Sequence, residues 1–381
     1  MSYPSVDALQ RTLTETVFHY ADDRKKAAGR ALGTLVEIIT FYTLKSWGFR
    51  DSIAIERPLA EFANADITHN VEYSLHPILA KTNLKLSEMN LPLTAAKLRT
   101  LLHSEGKPHP EGKDKSNVLY SADGIIRNAC TIFETESGFY VASLDAFSKS
   151  RREVALMFLH KHPFAIFECK RVGIEEGMKK GPQTIEKAKQ GAYVARSVSS
   201  LQKVRLRDGE MHGVIQRSDG SLYSKPYQKL LREVVESNNP QLLGGFILTV
   251  GVVSNHGNWF TAENHNKELK VLAQSYDWLL FLSDRGLSEF IDQLLLHPKR
   301  ALEPARRAFL SSYSGKKGQN RFTKVKMDIH ADEVLTGYFR ANAARVESWY
   351  NVITPKGNSL PVLRSELTAL RNKNWKGIYK L

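Results

Sequence analysis

The sequence predicts an α/β fold in which helices flank a mixed central β-sheet. Short apolar runs at 164–167 and 244–253 are typical of strands buried on both faces. Residues 27–47 repeat apolar side chains at helical spacing, and a second helix is expected at 183–197, after Pro182. A chain of 381 residues is long enough for one elaborated domain or for two.

The first third of the chain divides into two predicted regions. Residues 1–59 hold N-terminal helices and the first core strand; the predicted elements are helices at 5–24 and 27–47, a stop at Gly48 and a strand at 52–57 before Pro58. Residues 60–118 are expected to form an inserted, mostly helical subdomain. Its predicted elements are a strand at 70–75, helical signals at 78–89 and a helix at 95–102 capped by Thr94.

Residues 119–258 are the predicted catalytic core, and 259–381 a helical, basic C-terminal region. The strands expected at 124–133 and 139–145 would form a hairpin, and a helix at 151–162 would cross back to a strand at 164–170. The C-terminal region contains an apolar-faced helix, or two, within 266–296 and helical sequence at 331–350. The prediction is therefore an α/β core with helical insertions.

Charge indicates the class of partner. Lys and Arg number 54 against 40 Asp and Glu, which gives a net charge of +14 and favours a polyanion such as nucleic acid. The sequence has no apolar run that could span a bilayer and no signal-peptide core, so we expect a cytoplasmic protein that does not bind a membrane. Two cysteines exclude a disulfide framework and a four-cysteine zinc site, and the chain has no phosphate-binding glycine loop.

Glu168 and Lys170 follow directly on the apolar run 164–167. Side chains alternate along a strand, so both project from one face at the strand end. A Mg²⁺ ion and a phosphate would use both groups: the carboxylate as an oxygen ligand, the ammonium to orient water or neutralise charge. The alternative is an ordinary strand end with a surface ion pair.

The expected topology brings further acids to this end of the sheet. If the strand at 164–170 runs parallel to the strand at 139–145, Asp123 and Asp145 emerge beside Glu168 and Lys170. Three carboxylates and a lysine meet the needs of a divalent-metal phosphodiester site.

Basic and polar residues that could contact a phosphate backbone lie in two stretches. One is the loop and helix after Val172, where a solvent-exposed face is the alternative interpretation; its candidates are Lys179, Lys180, Gln183, Lys187 and Gln190, with Tyr193 and Arg196 further along the helix. The other is the glycine-broken stretch 313–326, for which a plain solvated loop is the alternative; its candidates are Lys316, Lys317, Asn320, Arg321 and Lys324.

These motifs, in this order, resemble the PD-(D/E)xK nuclease superfamily, and within it the type II restriction endonucleases. The family core is a helix with an acid, a strand, a strand opened by a small residue plus Asp, a strand ending in (D/E)-x-K, a helix and a strand. The matching parts here are the helix with Glu37, strand 52–57, residues 122–126, strand 166–170, helix 183–197 and strand 245–253. Alanine stands at 122 in place of the motif proline.

The resemblance implies a restriction-endonuclease-like fold and a Mg²⁺-dependent, sequence-specific double-stranded DNA endonuclease that acts as a homodimer. Asp123 and Glu168 would coordinate the metal, and Lys170 would position or deprotonate the attacking water. Glu37 would be a supplementary acid, although a partly exposed helix acid is the alternative. Asp145 competes with Asp123 as ligand, because Asp145 lies 23 residues before Glu168, the more usual spacing, whereas Asp123 lies 45 residues before it. Asp123 is favoured, since it opens a predicted strand as the family's acid does and Asp145 closes one. Base readout is expected from 60–118 and the basic C-terminal third.

Three rival functions stay open. A repair or branched-DNA nuclease would share the fold without cutting at a fixed sequence. A DNA-binding protein could keep the fold without catalysis, and a basic scaffold protein would show no salt-dependent DNA affinity.

Overall fold

A computed structural model of the chain describes residues 5–86, 91–104, 112–147, 152–173, 182–256, 267–313 and 321–380. The strands are β1 (Ile53–Glu61), β2 (Asn64–Leu75), β3 (Ile78–Lys85), β4 (Leu93–Thr94), β5 (Lys113–Asp114), β6 (Val118–Tyr120), β7 (Ile125–Arg127), β8 (Cys130–Glu134), β9 (Gly138–Phe147), β10 (Arg152–His160), β11 (Ala165–Gly173), β12 (Gln202–Arg205), β13 (Met211–Gln216), β14 (Leu222–Pro226), β15 (Leu248–His256), β16 (Trp278–Leu282), β17 (Lys326–Asp328) and β18 (Tyr350–Thr354). The α-helices are α1 (Val6–Thr16), α2 (Arg24–Ser46), α3 (Ala95–Ser104), α4 (Pro182–Ser197), α5 (Tyr227–Glu236), α6 (Pro240–Leu243), α7 (Lys267–Ser275), α8 (Asp284–Ile291), α9 (Glu303–Tyr313), α10 (Ile329–Ala341), α11 (Ala343–Glu347), α12 (Leu360–Arg371) and α13 (Trp375–Ile378). None of these helices combines the length and the hydropathy needed to cross a bilayer.

The chain forms two compact units, each built from three separate segments. Unit 1 consists of Met1–Ile55, Ile78–Lys161 and Asp284–Val346; unit 2 consists of Glu56–Pro77, His162–Ser283 and Glu347–Leu381. The sequence suggested four consecutive regions instead. The chain thus leaves unit 2 after β2 and returns to it just before β11.

Unit 2 is organised on a six-stranded mixed sheet with the strand order β1-β2-β11-β15-β16-β18; residues 53–55 of β1 belong to unit 1. A two-residue turn, Phe62 and Ala63, joins β1 to β2 as a hairpin. β2 is antiparallel to β11, β11 and β15 are parallel, β15 and β16 are parallel, and β18 is antiparallel to β16. The fold is therefore α/β with a mixed sheet, as the sequence predicts.

Helices α4 and α7 cover one face of this sheet. Apolar side chains of β11 and β15, among them Val172 and Val253, pack with Ala192 and Ala195 of α4 and Leu272 of α7 in one buried cluster. Each large apolar side chain buried in this way stabilises the fold by about 1.5–3 kcal/mol. β12, β13 and β14 form a separate three-stranded antiparallel sheet in the same unit.

Unit 1 contains two smaller sheets and a group of helices. One sheet has the strand order β3-β10-β9-β8-β5 and the other β17-β7-β6-β4. Helix α2 packs against α1 and α10, and α10 also packs against α9.

Several predicted elements are confirmed. Helix α2 ends just before Gly48, whose φ of 86° is one that glycine adopts without strain. Helix α3 begins after Thr94, whose hydroxyl accepts a hydrogen bond from the Lys97 backbone N–H at 3.3 Å. Strands β1, β11 and β15 and helix α4 also lie where the sequence predicts them.

Two predicted helical stretches are wrong, and a third is divided by a strand. The stretches 78–89 and 151–162 contain β3 and β10, which pair with each other from Ile78 and Leu159 to Lys85 and Glu153. Residues 153–159 are nearly all buried, and a fully apolar run does not distinguish a strand from a helix, so long-range pairing decided the outcome. Residues 266–296, expected to form one apolar-faced helix or two, hold helices α7 and α8, with strand β16, all of whose five residues are buried, between them. The region 60–118 is accordingly mostly strand, and 259–381 contains strands as well as helices.

The expected pairing of β11 with the strand at 139–145 is also wrong. β9 pairs with β8 and β10, whereas β11 pairs with β2 and β15. Because residues 152–160 form a strand and not a crossing helix, the chain passes through the antiparallel β9–β10 pair and then starts a different sheet.

Candidate functional site

The E-x-K pair lies near the middle of unit 2. β11 is flanked by β2 and β15, and Glu168 and Lys170 stand opposite Gly251 and Val253 of β15. Ile166 and Val172 of β11 pack with residues of α4, and alternation puts Glu168 and Lys170 on that same face. Lys170 Nζ lies 3.2 Å from Glu168 Oε2; Glu168 is 4% exposed and the Lys170 side chain 34%. The pair is a buried acid with a lysine reaching toward solvent, and not the surface ion pair of the alternative interpretation.

The second oxygen of Glu168 is held by β2. The backbone N–H of Glu72 donates a hydrogen bond to Glu168 Oε1 at 3.0 Å. The backbone pairing of β2 with β11 runs from Leu75 to Tyr73. At the next residue of β2, Glu72, the backbone N–H therefore donates to the Glu168 side chain and not to a backbone carbonyl of β11. Glu72 itself is partly buried, with one carboxylate oxygen inaccessible to solvent.

Burial dominates the electrostatics of Glu168. Removal from water raises the pKa of its carboxyl, and the charges of Lys170 and His69 oppose that rise. Burial and the nearby Glu168 likewise raise the pKa of the Tyr276 phenol well above its usual range. A buried carboxylate costs folding free energy, and a second cation beside it would reduce that cost.

Tyr276 forms a rigid wall beside the pair. Its ring lies against Gly251, where an added Cβ would come within 2.8 Å of the ring, and its hydroxyl lies against Gly191 of α4 at 2.6 Å from such a Cβ. The same Gly191 position is 3.8 Å from Lys170 Cε. Glycine at these two positions leaves the space in which Tyr276 and the lysine stem pack together.

A His–Glu pair stands next to Glu168 on the β1–β2 hairpin. His69 Nε2 lies 2.9 Å from Glu61 Oε1, and the His69 ring meets the Tyr193 ring edge-on at 5.7 Å between centroids. Hydrogen bonds from His69 and Tyr193 hold the pKa of the Glu61 carboxyl below its usual value. The imidazole orientation is therefore fixed from two sides.

The acids expected to join Glu168 occupy other surroundings. Asp123 lies in unit 1 at the β6–β7 turn, half exposed and ion-paired with Arg321. A hydrogen bond from Ser121, aided by Arg321, holds the pKa of the Asp123 carboxyl below its usual value. Asp145 is on β9, and its side chain lies outside the described residues. The strand pairing that was to place both acids beside Glu168 does not form, so that argument for a shared metal site is wrong.

Glu37 and Lys324, expected in separate roles, bind each other within unit 1. Lys324 Nζ lies 3.0 Å from Glu37 Oε2, and the lysine side chain is only 8% exposed. A lysine buried against a helix acid cannot also lie on a DNA backbone without breaking that pair. The assignment of Lys324 to phosphate contact is therefore corrected to a packing role.

Most other DNA-contact candidates fall where the structure gives no side chain. Lys179, Lys180, Lys316, Lys317 and Asn320 lie outside the described residues, and Gln183 and Lys187 are on α4 with side chains outside the description. Gln190 is exposed on α4, and Arg321 is half exposed in its pair with Asp123. Gln190 and Arg321 are thus the candidates whose exposed side chains the structure places.

Among the described residues no group of three or more His, Cys, Asp or Glu side chains is arranged to hold a metal. Mg²⁺ is commonly bound by one or two carboxylates, with waters and substrate phosphates completing its shell. Glu168 is a buried carboxylate, and Glu72, whose backbone N–H contacts it, carries a second carboxylate on the neighbouring strand; hard oxygen donors of this kind fit that ion.

Glu72 is the residue that sequence reasoning missed. The signal was present in Asn70–Leu75, an expected strand whose acid lies three residues before its end. To identify Glu72 from the sequence, the segment between β2 and β11 has to be treated as an insertion. β1, β2 and β11 then become consecutive strands of one sheet.

Comparison with known proteins gives no relative: no family model, no curated protein and no solved structure matches this chain.

Proposed function

We propose that unit 2 carries the catalytic core of a Mg²⁺-dependent nuclease with a restriction-endonuclease-like fold. The observation that carries the proposal is the buried Glu168–Lys170 pair on β11, directly beside β2 of the β1–β2 hairpin. Along the chain, α2 of unit 1 precedes β1, β2, β11, α4 and β15, which is the order of elements expected of the PD-(D/E)xK superfamily when the segment between β2 and β11 is treated as an insertion. In this assignment β2, and not residues 122–126, is the strand that contributes the second acid.

Glu168 and Glu72 would hold the metal, and Lys170 would act on the attacking water. When bound, Mg²⁺ supplies charge stabilisation to the phosphorane-like transition state. Lys170, 3.2 Å from Glu168 and one-third exposed, reaches from the buried carboxylate toward solvent, where a phosphate would approach. Its ammonium would orient the water and neutralise the developing charge. Tyr276 and Gly191 keep the lysine stem in place.

The substrate that best suits the chain is double-stranded DNA, cut at a specific sequence by a homodimer. The net charge of +14 favours a phosphate backbone as partner. The twofold symmetry of duplex DNA is most simply matched by two copies of the chain, and such an enzyme would work in the cytoplasm, where DNA is present.

The test is incubation of the protein with supercoiled plasmid, with and without Mg²⁺, followed by mapping of the ends. Glu168→Gln and Lys170→Met should each lower the cleavage rate by about 100-fold or more. The matched controls are Glu233→Gln and Lys225→Met, which alter a surface pair at 2.6 Å in the same unit and should retain full activity. Equal activity of all four variants would refute the site assignment.

The pattern of products separates the alternatives. Discrete fragments support a sequence-specific enzyme, whereas cleavage confined to branched or damaged DNA supports a repair nuclease of the same fold. Binding to DNA without cleavage in any divalent metal would support a non-catalytic protein.

Two further variants decide the identity of the second acid. Glu72→Gln should abolish cleavage and Asp123→Asn should preserve it, because only Glu72 lies beside Glu168 on the neighbouring strand. The reverse result would restore Asp123 as the ligand.

A further inference from the structure

A pocket in unit 2 lies next to the Glu168 site and has an unusual lining. Its walls include Glu61 and Phe62 of the β1–β2 hairpin, Tyr193 and Arg196 of α4, and Val271 of α7. Among the Phe, Tyr and Trp side chains of the described part of the chain, only Tyr20, Phe62 and Tyr193 are more than 40% exposed, at 44%, 41% and 52%. Two of these three exposed rings therefore line one pocket.

Both rings are held in fixed positions. The Phe62 backbone N–H donates to the Ser197 carbonyl at 2.8 Å, and its ring lies against Gly245, where an added Cβ would come within 2.8 Å. The Tyr193 ring meets His69 edge-on, and its hydroxyl hydrogen bonds to Glu61. A rigid aromatic surface loses little entropy when a planar ligand stacks on it.

The charge of the pocket favours an anionic ligand with a planar group. The carboxylate of Glu61 is already engaged by His69 and Tyr193, while Arg196 is exposed at the same wall. A guanidinium beside two exposed rings suits a phosphate next to a base, because the cation binds the phosphate and the rings offer their faces to the base.

β2 links this pocket to the E-x-K pair. His69, which contacts Tyr193, precedes Glu72 by three residues, and the Glu72 N–H binds Glu168. Three residues of strand span roughly 10 Å, so a nucleotide in the pocket would lie within one or two nucleotides of a phosphate at the site.

We propose that this pocket binds an unstacked nucleobase of the DNA strand being cut, with Arg196 on an adjacent phosphate. The inference rests on the proposed function, since it concerns the same substrate. It adds that the substrate presents an unpaired or extruded base beside the scissile phosphate, which intact duplex does not offer until the base leaves the stack.

The experiment measures binding without cleavage, in the Glu168→Gln background. Fluorescence anisotropy with a labelled 12-nucleotide single strand, and with the same strand in a duplex, gives the two affinities for each variant. Tyr193→Ala and Phe62→Ala should each weaken single-strand binding about tenfold, and duplex binding less than twofold. The matched control is Tyr20→Ala, an equally exposed ring in unit 1, which should change neither affinity.

Tyr193→Phe separates stacking from structure. It keeps the ring and removes the hydroxyl that bonds Glu61, so single-strand affinity should stay within twofold of the parent. Thermal melting of each variant identifies any that fail to fold, and Tyr193→Leu and Phe62→Leu, which also remove the ring, then serve as milder substitutions.

Two outcomes would overturn the proposal. One is a single-strand affinity in Tyr193→Ala and Phe62→Ala equal to that of Tyr20→Ala; the other is an equal loss on single strand and duplex, which would mean simple backbone contact. Failure of the wild-type protein to cleave plasmid tests the proposed function separately, because the binding measurements need no catalysis.

Discussion

Substitution of Gly191 by alanine tests the packing that holds Lys170 in place. Gly191 lies in the middle of α4, and the alanine methyl group would come within 2.6 Å of the Tyr276 hydroxyl. Tyr276 is fully buried, and its ring is already pressed against Gly251, so it cannot move away freely. The substitution therefore compresses the wall of the Glu168–Lys170 site.

Two effects of opposite sign decide how much Gly191→Ala changes the free energy of unfolding. Alanine in place of glycine in a helix interior stabilises by about 1 kcal/mol. Overpacking of a buried position costs about 1–3 kcal/mol. The net expectation for Gly191→Ala is a loss of about 0–2 kcal/mol in the free energy of unfolding. Lys170 Cε, at 3.8 Å from the new methyl group, stays in ordinary van der Waals contact, so the clash falls on Tyr276.

Urea unfolding measures the effect, with Gly33→Ala as the matched control. Gly33 also lies in mid-helix, in α2, but no atom lies within 4 Å of its added Cβ, so this variant should gain about 0.5–1 kcal/mol. Adding Tyr276→Phe removes the clashing oxygen and leaves the nearest ring carbon at 4.0 Å. In that background Gly191→Ala should become stabilising, with a coupling energy of about 1–3 kcal/mol.

A stability gain for Gly191→Ala equal to that of Gly33→Ala would refute the reasoning. So would a cost for Gly191→Ala that Tyr276→Phe does not relieve, since the compression would then come from somewhere other than the phenol oxygen.

Three further predictions concern charged groups. Burial raises the pKa of Glu168 in the folded state. The stability that protonated Glu168 contributes is therefore full at low pH and is lost as pH rises through that pKa. Thermal melting should show Glu168→Gln gaining stability over wild type as pH increases. Burial also raises the pKa of Glu366 from 4.5 to about 7, although Trp278 Nε1 donates a hydrogen bond to its carboxylate at 2.8 Å. The Glu366→Gln variant should therefore match wild-type stability below about pH 4.5 and exceed it by a growing amount up to about pH 7, with a fluorescence change of Trp278 near pH 7 in wild type alone. Lys324→Met should cost about 1–3 kcal/mol in urea unfolding by leaving Glu37 without its lysine, and Glu37→Gln in the same chain should recover part of that loss; no recovery would contradict the pairing.

The parts of the fold that the sequence predicts are those set by local pattern. Helix α2 with its stop at Gly48, the cap of Thr94 on α3 and the buried strand that carries Glu168 all follow from residue spacing. The pairing of Glu168 with Lys170 follows from strand alternation alone.

The parts that it does not predict depend on contacts between distant segments. Residues 154–159 are apolar on both faces, a pattern shared by buried helices and strands, and their pairing with β3 selects the strand. Glu72 was missed for the same reason: β2 and β11 are neighbours in the sheet but stand far apart in the chain. Asp123 was favoured because it opens a predicted strand, as the acid of the family motif does, but the sheet order places that strand in a different sheet from β11.

The placement of β11 between β2 and β15 has a consequence for how the chain folds. Its two neighbours come from residues 64–75 and 248–256, so neither is local, and closing such long loops makes this sheet slow to form. A chain still lacking β15 would leave one edge of β11 unpaired and open to association with another strand. During synthesis, the segment that carries Glu168 and Lys170 is therefore an aggregation hazard until about two-thirds of the protein has emerged.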